Sequence, residues 1–165
     1  MALRMAPSSS NLVAVPMSAA EFAAFIELSA ASYADGAVAA GSMTSGEAAA
    51  KARLDIAELL PSGLETEGQL ISVLRVEDVS VGHLWVGCRG VGPSAIAWVW
   101  DVYLGPEYRG RGLGGQAMRI AEWQAADQLG VAEIQLNVFG ANAPAIRLYQ
   151  RLGYQTISQQ MSKLL

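Results

Sequence analysis

Tyr103-Leu104-Gly105-Pro106-Glu107-Tyr108-Arg109-Gly110-Arg111-Gly112-Leu113-Gly114-Gly115 follows an apolar run that begins at Ala95. A helical pattern leaves it, with Leu113, Ala117, Ile120, Ala121, Ala125 and Leu129 at spacings of three and four. The order is therefore strand, glycine-rich turn, helix. Glycines let the backbone turn tightly and let a ligand approach it closely. The first N–H groups of a helix have no intrahelical acceptor, and with the helix dipole they form an anion site. Arg109 and Arg111 add positive charge here, in a chain whose net charge is −4. The turn predicts a phosphate or pyrophosphate site.

Two phosphate-binding patterns compete for these glycines. Gly110, Gly112 and Gly115 satisfy G-x-G-x-x-G, the dinucleotide fingerprint. That pattern needs a βαβ unit and an acidic residue about twenty positions later, at the ribose. Glu133 lies near that distance, but it opens the next strand (Glu133 to Val138) and does not close it. The stretch also comes late, after strands that read as antiparallel. A P-loop is excluded because no Gly-Lys-Ser/Thr follows.

The second pattern is Arg109-x-x-Gly112-x-Gly114. It is joined by Asn142-Ala143-Pro144-Ala145-Ile146-Arg147-Leu148-Tyr149-Gln150-Arg151-Leu152-Gly153-Tyr154. Together the two stretches resemble the acyl-coenzyme A signature of the GCN5-related N-acetyltransferases (GNAT). That family often has Asn, then Ala three on, Leu-Tyr six and seven on, and Gly-aromatic eleven on. All of these positions match. The resemblance covers Val79 to Tyr154 well, and before Val79 it rests on element order.

The remaining pattern agrees with one domain. The chain has 165 residues, enough for a single core. Residues 1–10 read as a flexible leader, with one Arg and no apolar core of a signal peptide; residues 11–165 read as the domain. No apolar run reaches the ~20 residues that span a bilayer, so no membrane partner is expected. The acidic balance argues against nucleic acid and mildly favours a cationic or amine substrate. A lone cysteine, Cys88, excludes an internal disulfide framework and suits a reducing cytoplasm.

In order, Asn11 to Val15 reads as a first strand ended by Pro16. Ser18-Ala19-Ala20-Glu21 is a capping box, with Met17 and Phe22 placed as its staple. The helix it opens carries Phe22, Phe25, Ile26 and Ser29 on one face and is expected to end at Asp35-Gly36. Thr44-Ser45-Gly46-Glu47 opens a second helix, stopped by Pro61-Ser62-Gly63. Gln69 to Val76, Val79 to Val86 and Ala95 to Leu104 read as an antiparallel meander. A long helix, the strand Ala132 to Val138 and a short helix follow. Asn142 caps that short helix and Gly153 closes it. Tyr154 to Leu164 reads as a last strand. The fold class is α/β, a mixed, mostly antiparallel sheet with helices on both faces. The resemblance adds a splayed pair: the central strand and the strand after the long helix diverge, and the pantetheine arm lies between them.

The resemblance implies direct transfer of the acetyl group of acetyl-CoA to a primary amine of a small molecule or peptide, through a tetrahedral intermediate. It gives the pyrophosphate to the backbone of Arg109, Gly110, Arg111, Gly112, Leu113, Gly114 and Gly115. It gives the pantetheine amides to Val102 and Leu104, with Asn142 and Ala145 beside the arm. The Leu104 N–H could also polarise the thioester carbonyl. Tyr149 matches the tyrosine whose hydroxyl approaches the coenzyme sulfur, where a protonated phenol can donate to the leaving thiolate.

The residues leave the base open between Asp101 and a chain of waters. Asp101 is the only carboxylate in the central strand, yet alternation sets it opposite Val102 and Leu104 unless a bulge intervenes. His83, the only histidine, reads as structural, and Trp98 and Trp100 as packing. Cys88 has no basic neighbour except Arg89 to make it a nucleophile, and no ligand spacing suggests a metal. A different class, a non-catalytic acyl-CoA-binding sensor, stays open, and Tyr149 speaks against it. A homodimer is compatible with such a fold. No motif separates one acceptor amine from another.

Overall fold

A computed structural model describes residues 11–39, 41 and 43–163. Five strands, β1 (Leu12–Pro16), β2 (Gln69–Val76), β3 (Val79–Arg89), β4 (Ile96–Leu104) and β5 (Ile134–Leu136), lie in chain order across one sheet. β1 to β4 are antiparallel neighbours, and β5 runs parallel to β4. The long helix between β4 and β5 supplies the crossover that a parallel pair requires. A doubly wound dinucleotide fold would be a parallel sheet with reversed strand order, so this topology removes the competing reading of the glycines.

Helices cover both faces. α1 (Ala19–Ala39) and α2 (Ser45–Leu59) lie on one, where Phe25 and Ile56 meet Ile71, Val73 and Trp85. α3 (Leu113–Trp123) lies on the other, where Leu113, Ala117 and Met118 meet Leu74, Leu84, Val86 and Val99. Neighbouring residues of β3 go to opposite layers: Leu84 and Val86 to α3, Trp85 to α1. This is the period-two pleat of a strand buried on both faces. α4 (Ala143–Arg151) sets Tyr149 against the α3 layer.

The capping signals work as read. The Ser18 N–H donates to Glu21 Oε2 at 2.9 Å, and Met17 and Phe22 share one apolar cluster. The Thr44 N–H donates to Glu47 Oε2 at 3.2 Å. The Ala145 N–H donates to Asn142 Oδ1 at 3.3 Å, and Gly153 ends α4 at φ 94°.

Four expectations need correction. α1 does not stop at Asp35-Gly36 but runs to Ala39. Gly36 is a close-approach residue: a Cβ there would stand 2.4 Å from the Phe139 ring. The helix keeps its backbone bonds, and the missing side chain admits an aromatic from the loop after β5. Second, β5 spans only three residues, because its partner strand turns away. Third, Tyr154 to Leu164 is not a strand as far as it is described: residues 154–163 carry no regular structure, and 164–165 lie outside the described residues, as do 1–10. α3 also ends earlier, in a π turn over Gln124–Gln128.

Gly82 faces Leu104 across the β3–β4 ladder, and a Cβ there would lie 1.9 Å from the Tyr103 carbonyl oxygen. Backbone cannot yield as a side chain can. Gly82→Ala is expected to cost about 1–3 kcal/mol, as overpacking does, measured by urea denaturation. An unchanged midpoint would mean the two strands separate freely at this point.

Candidate active site

The site begins with a break in strand pairing. β4 and β5 pair at Ala97–Ile134, Trp98–Gln135 and Val99–Leu136, and stop there. β4 continues to Leu104. At the same point its register with β3 slips: Trp85 faces Asp101, while Val86 faces Val99. Trp100 is thus the extra residue of a β-bulge, which bends the strand. Beyond Val99 a cleft of about 140 Å³ opens, bordered by Asp101, Val102, Leu136, Phe139, Asn142 and Tyr149.

The bulge also decides which groups face the cleft. The Gly105 N–H donates to the Val81 carbonyl at 2.9 Å. By alternation, the polar backbone groups of Val102 and Leu104 point away from β3, into the gap. Their side chains pack toward the α3 layer. The Leu104 carbonyl accepts from Arg109 Nε at 2.9 Å, so the gap is left the Leu104 N–H.

The glycine turn follows. Pro106–Tyr108 form one 3₁₀ turn. Gly110 and Gly112 then adopt φ of 72° and 79°, the left-handed region that disfavours a side chain. Among the described residues, the N–H groups from Gly110 to Gly115 have no backbone acceptor. The Gln116 N–H is the first to return to a helical carbonyl, at Gly112. Leu113 is buried, so it offers the turn its backbone alone. Gly114 and Gly115 lie against Leu148 of α4, and a Cβ on Gly114 would come within 3.0 Å of it. Arg109 and Arg111 are exposed, and the Arg109 guanidinium lies 5.6 Å from the centre of the Tyr103 ring. Arg109 therefore braces the turn as well as charging it.

Asp101 faces the α1 layer, as alternation requires, despite the bulge beside it. Its Oδ2 accepts from Ser29 Oγ at 2.5 Å and lies 2.9 Å from His83 Nε2. Among the described residues its other oxygen has no hydrogen-bond partner. His83 is buried, stacked on Tyr103 at 5.3 Å and met edge-on by Phe25 at 4.9 Å. In the sequence nothing links His83 to Asp101, and Ser29 is one residue of a helix face. A polar serine inside an apolar stripe was the available signal. Tyr149, on α4, is half-buried on the other side of the cleft. Burial, and secondarily the Asp101 charge, raises its phenol above the ordinary tyrosine value.

The remaining aromatic residues divide between packing and the border of the cleft. Trp98 lies under the Arg89 guanidinium, 4.6 Å from the centre of its ring. Trp100 packs on Trp85 at 5.7 Å and borders the cleft. Phe139 comes from the β5–α4 loop, borders the cleft and meets Tyr33 of α1 at 6.0 Å.

Comparison with known proteins agrees with this architecture. The sequence model of the acetyltransferase (GNAT) family matches residues 43–154. The chain is 32% identical over 156 residues to the uncharacterized N-acetyltransferase YycN of Bacillus subtilis, covering 94% of this chain and 99% of that one. The crystal structure of YycN superposes with a TM-score of 0.85 over 93% of this chain and 98% of that one. A mouse (Mus musculus) thialysine N-epsilon-acetyltransferase is 30% identical over 105 residues, 63% of this chain and 56% of its own. The aminoglycoside N-acetyltransferase AAC(6')-Iy, solved with CoA, shares the fold at a TM-score of 0.63 and 14% identity, over 98% of this chain and 99% of that one. The chain belongs to the GNAT acetyltransferase family.

Tyr154, beside Tyr149 at 5.8 Å, also has a raised phenol, through burial first and the Glu122 charge second. Both phenols hold their protons more tightly in the folded chain than in the unfolded one. Their stabilisation is present below pH ~10, the unperturbed tyrosine value, and is lost as pH rises beyond it toward the folded-state values. Melting temperature is expected to fall across that range, and less steeply in a Tyr149→Phe/Tyr154→Phe double variant. Equal slopes would contradict this coupling.

Proposed function

We propose that this protein is an N-acetyltransferase that moves the acetyl group of acetyl-CoA directly to a primary amine of a small molecule or peptide, through a tetrahedral intermediate. The observation that carries the reading is one cleft, opened by the β4 bulge, bordered by Asp101 on one side and by Tyr149 and Asn142 on the other. An acid and a base held across a narrow gap is what acyl transfer to an amine needs.

Each part of acetyl-CoA has a group suited to it. The unpartnered N–H groups of Gly110 to Gly115 suit the pyrophosphate, with Arg111 and the remaining guanidinium nitrogens of Arg109 beside them. The gap-facing backbone of Val102 and Leu104 suits the pantetheine amides, which would extend the sheet past the point where β5 leaves it. Asn142 and Ala145, at the start of α4, border the same arm. The Leu104 N–H would then polarise the thioester carbonyl as its oxygen gains charge.

Tyr149 is the acid. Its raised phenol stays protonated at neutral pH, so the hydroxyl can donate to the departing thiolate. Asp101 is the base. Ser29 and His83 hold Oδ2, which leaves the other oxygen for the incoming ammonium and its proton. Acceptors of the relatives include thialysine in the mouse enzyme and spermine in a probable spermine N(1)-acetyltransferase of Bacillus subtilis subsp. natto. These favour small, cationic amines here, which also suits a carboxylate facing the cleft and the acidic chain.

Two experiments test the reading. Calorimetric titration with acetyl-CoA, with NAD and ATP in parallel, is expected to show saturable binding of acetyl-CoA alone. No binding, even with amines present, would remove the central inference. Turnover on an amine panel, followed by free-thiol release, then separates an enzyme from a sensor. Tyr149→Phe should lower kcat by about 100-fold or more, within the usual range for a lost acid or base, while acetyl-CoA affinity is kept. Asp101→Asn should lower kcat by a similar factor, with acetyl-CoA affinity kept. Unchanged turnover would transfer the base role to water.

A further inference from the structure

We propose that the acceptor amine sits on an unbranched carbon, the –CH2–NH3+ end of an aminoalkyl chain, and that the cleft rejects the branched α-amines of amino acids and peptide N-termini. Trp100 and Phe139 set this limit by size, and Asp101 sets it by charge. The proposal rests on acetyl transfer in this cleft and names the class of its substrate.

Size comes first. The cleft holds about 140 Å³. A cavity of about 150 Å³ takes one benzene ring, that is, six carbon atoms. The acetyl thioester, with its two carbons, oxygen and sulfur, lies between Tyr149 and Asp101 and uses four of those places. Room is left for about two atoms, the acceptor nitrogen and the carbon that bears it. The rest of the acceptor must leave through the mouth as a slim chain. A second branch on that carbon, which the α-amine of every residue but glycine carries, has no space.

Two of the walls are fixed. Trp100 is the extra residue of the bulge, so it and Asp101 both turn to the α1 layer. Its ring packs against Trp85 at 5.7 Å and Trp98 at 5.9 Å. Phe139 is held by α1. A Cβ on Gly36 would lie 2.4 Å from its ring, and the Tyr33 ring is centred 6.0 Å away. Rings hemmed in this way do not swing aside for a methyl group, and overpacking a filled site is costly.

Charge acts in the same direction. Among the described residues that border the cleft, Asp101 carries the one formal charge. An ammonium there meets a carboxylate and two aromatic rings, all of which favour a cation. A free amino acid would bring its own carboxylate one carbon away from the nitrogen. That group would lie beside Asp101, with no cation at the border of the cleft to offset it. A charge farther along an alkyl chain lies outside the cleft and carries no such cost.

Free-thiol release from acetyl-CoA on a matched amine panel tests this. Glycinamide and alaninamide differ by one methyl branch, and glycine and glycinamide by the carboxylate. In kcat/KM, alaninamide is expected to fall about 10- to 200-fold below glycinamide, the range for one methylene in a pocket. Glycine is expected to fall below glycinamide by as much or more. Cadaverine and a lysine peptide with a blocked N-terminus present the same amine end, and the faster of the two shows whether a small molecule or a peptide supplies it. On free lysine the acetyl group is expected at the side-chain nitrogen, located by NMR. The α-amine is the less basic of the two and more of it is neutral at neutral pH, so side-chain selection reports the cleft. Phe139→Ala should narrow the gap between alaninamide and glycinamide, with acetyl-CoA affinity kept as the check on folding. An unchanged gap would overturn the role given to Phe139. Equal rates on glycinamide and alaninamide, or lysine acetylated at its α-nitrogen, would overturn the proposal and leave the transfer reaction standing. No thiol release with any amine would overturn both.

Discussion

Everything at the site depends on β4 parting from β5 after Val99. Were the two strands paired to their ends, the polar backbone of Val102 and Leu104 would be spent on a neighbour. No cleft would exist between the sheet and α4. The bulge at Trp100 causes the parting, since one extra residue on β4 bends the strand where it would otherwise stay in register. The cost of unpaired backbone at the centre of a sheet is what makes the gap a binding site, since such groups must find partners. An extended, amide-bearing ligand is the natural one.

The two ends of the gap are built by different means. At one end the glycine turn supplies N–H groups by geometry: left-handed Gly110 and Gly112 turn the chain so that α3 starts with its donors free. Arg109, held to the Leu104 carbonyl, ties that turn to the strand before it. At the other end the polar groups are held by packing. Asp101 is partly enclosed, with Ser29 from α1 and His83 from β3 on one oxygen. His83 is itself fixed between Phe25 and Tyr103. A carboxylate so restrained holds one orientation in the fold.

α1 reaches this end because it does not stop at Gly36. Its last turns pass under Phe139, and the absent Cβ of Gly36 lets the ring approach. Phe139, which borders the cleft, then meets Tyr33 of α1. The first helix and the loop after β5 share little of the local signal found between Val79 and Tyr154.

What could be read from the chain alone was local in origin. Caps at Ser18, Thr44 and Asn142 are made by residues three apart. The turn at Gly110 and Gly112 needs only backbone freedom, and the meander follows from short links and a period of two. These determined the order of elements, the family resemblance and the position of the glycine turn. The tertiary structure decided what depends on distant partners. Gly36 reads as a helix breaker until Phe139, far along the chain, occupies the space beside it. Tyr154 to Leu164 reads as a strand, but a strand forms only by pairing with a neighbour, and the described residues 154–163 carry no regular structure. Asp101 meets Ser29 from 72 residues away and His83 from 18. No periodicity carries such a meeting, because it is produced by two layers closing on one sheet.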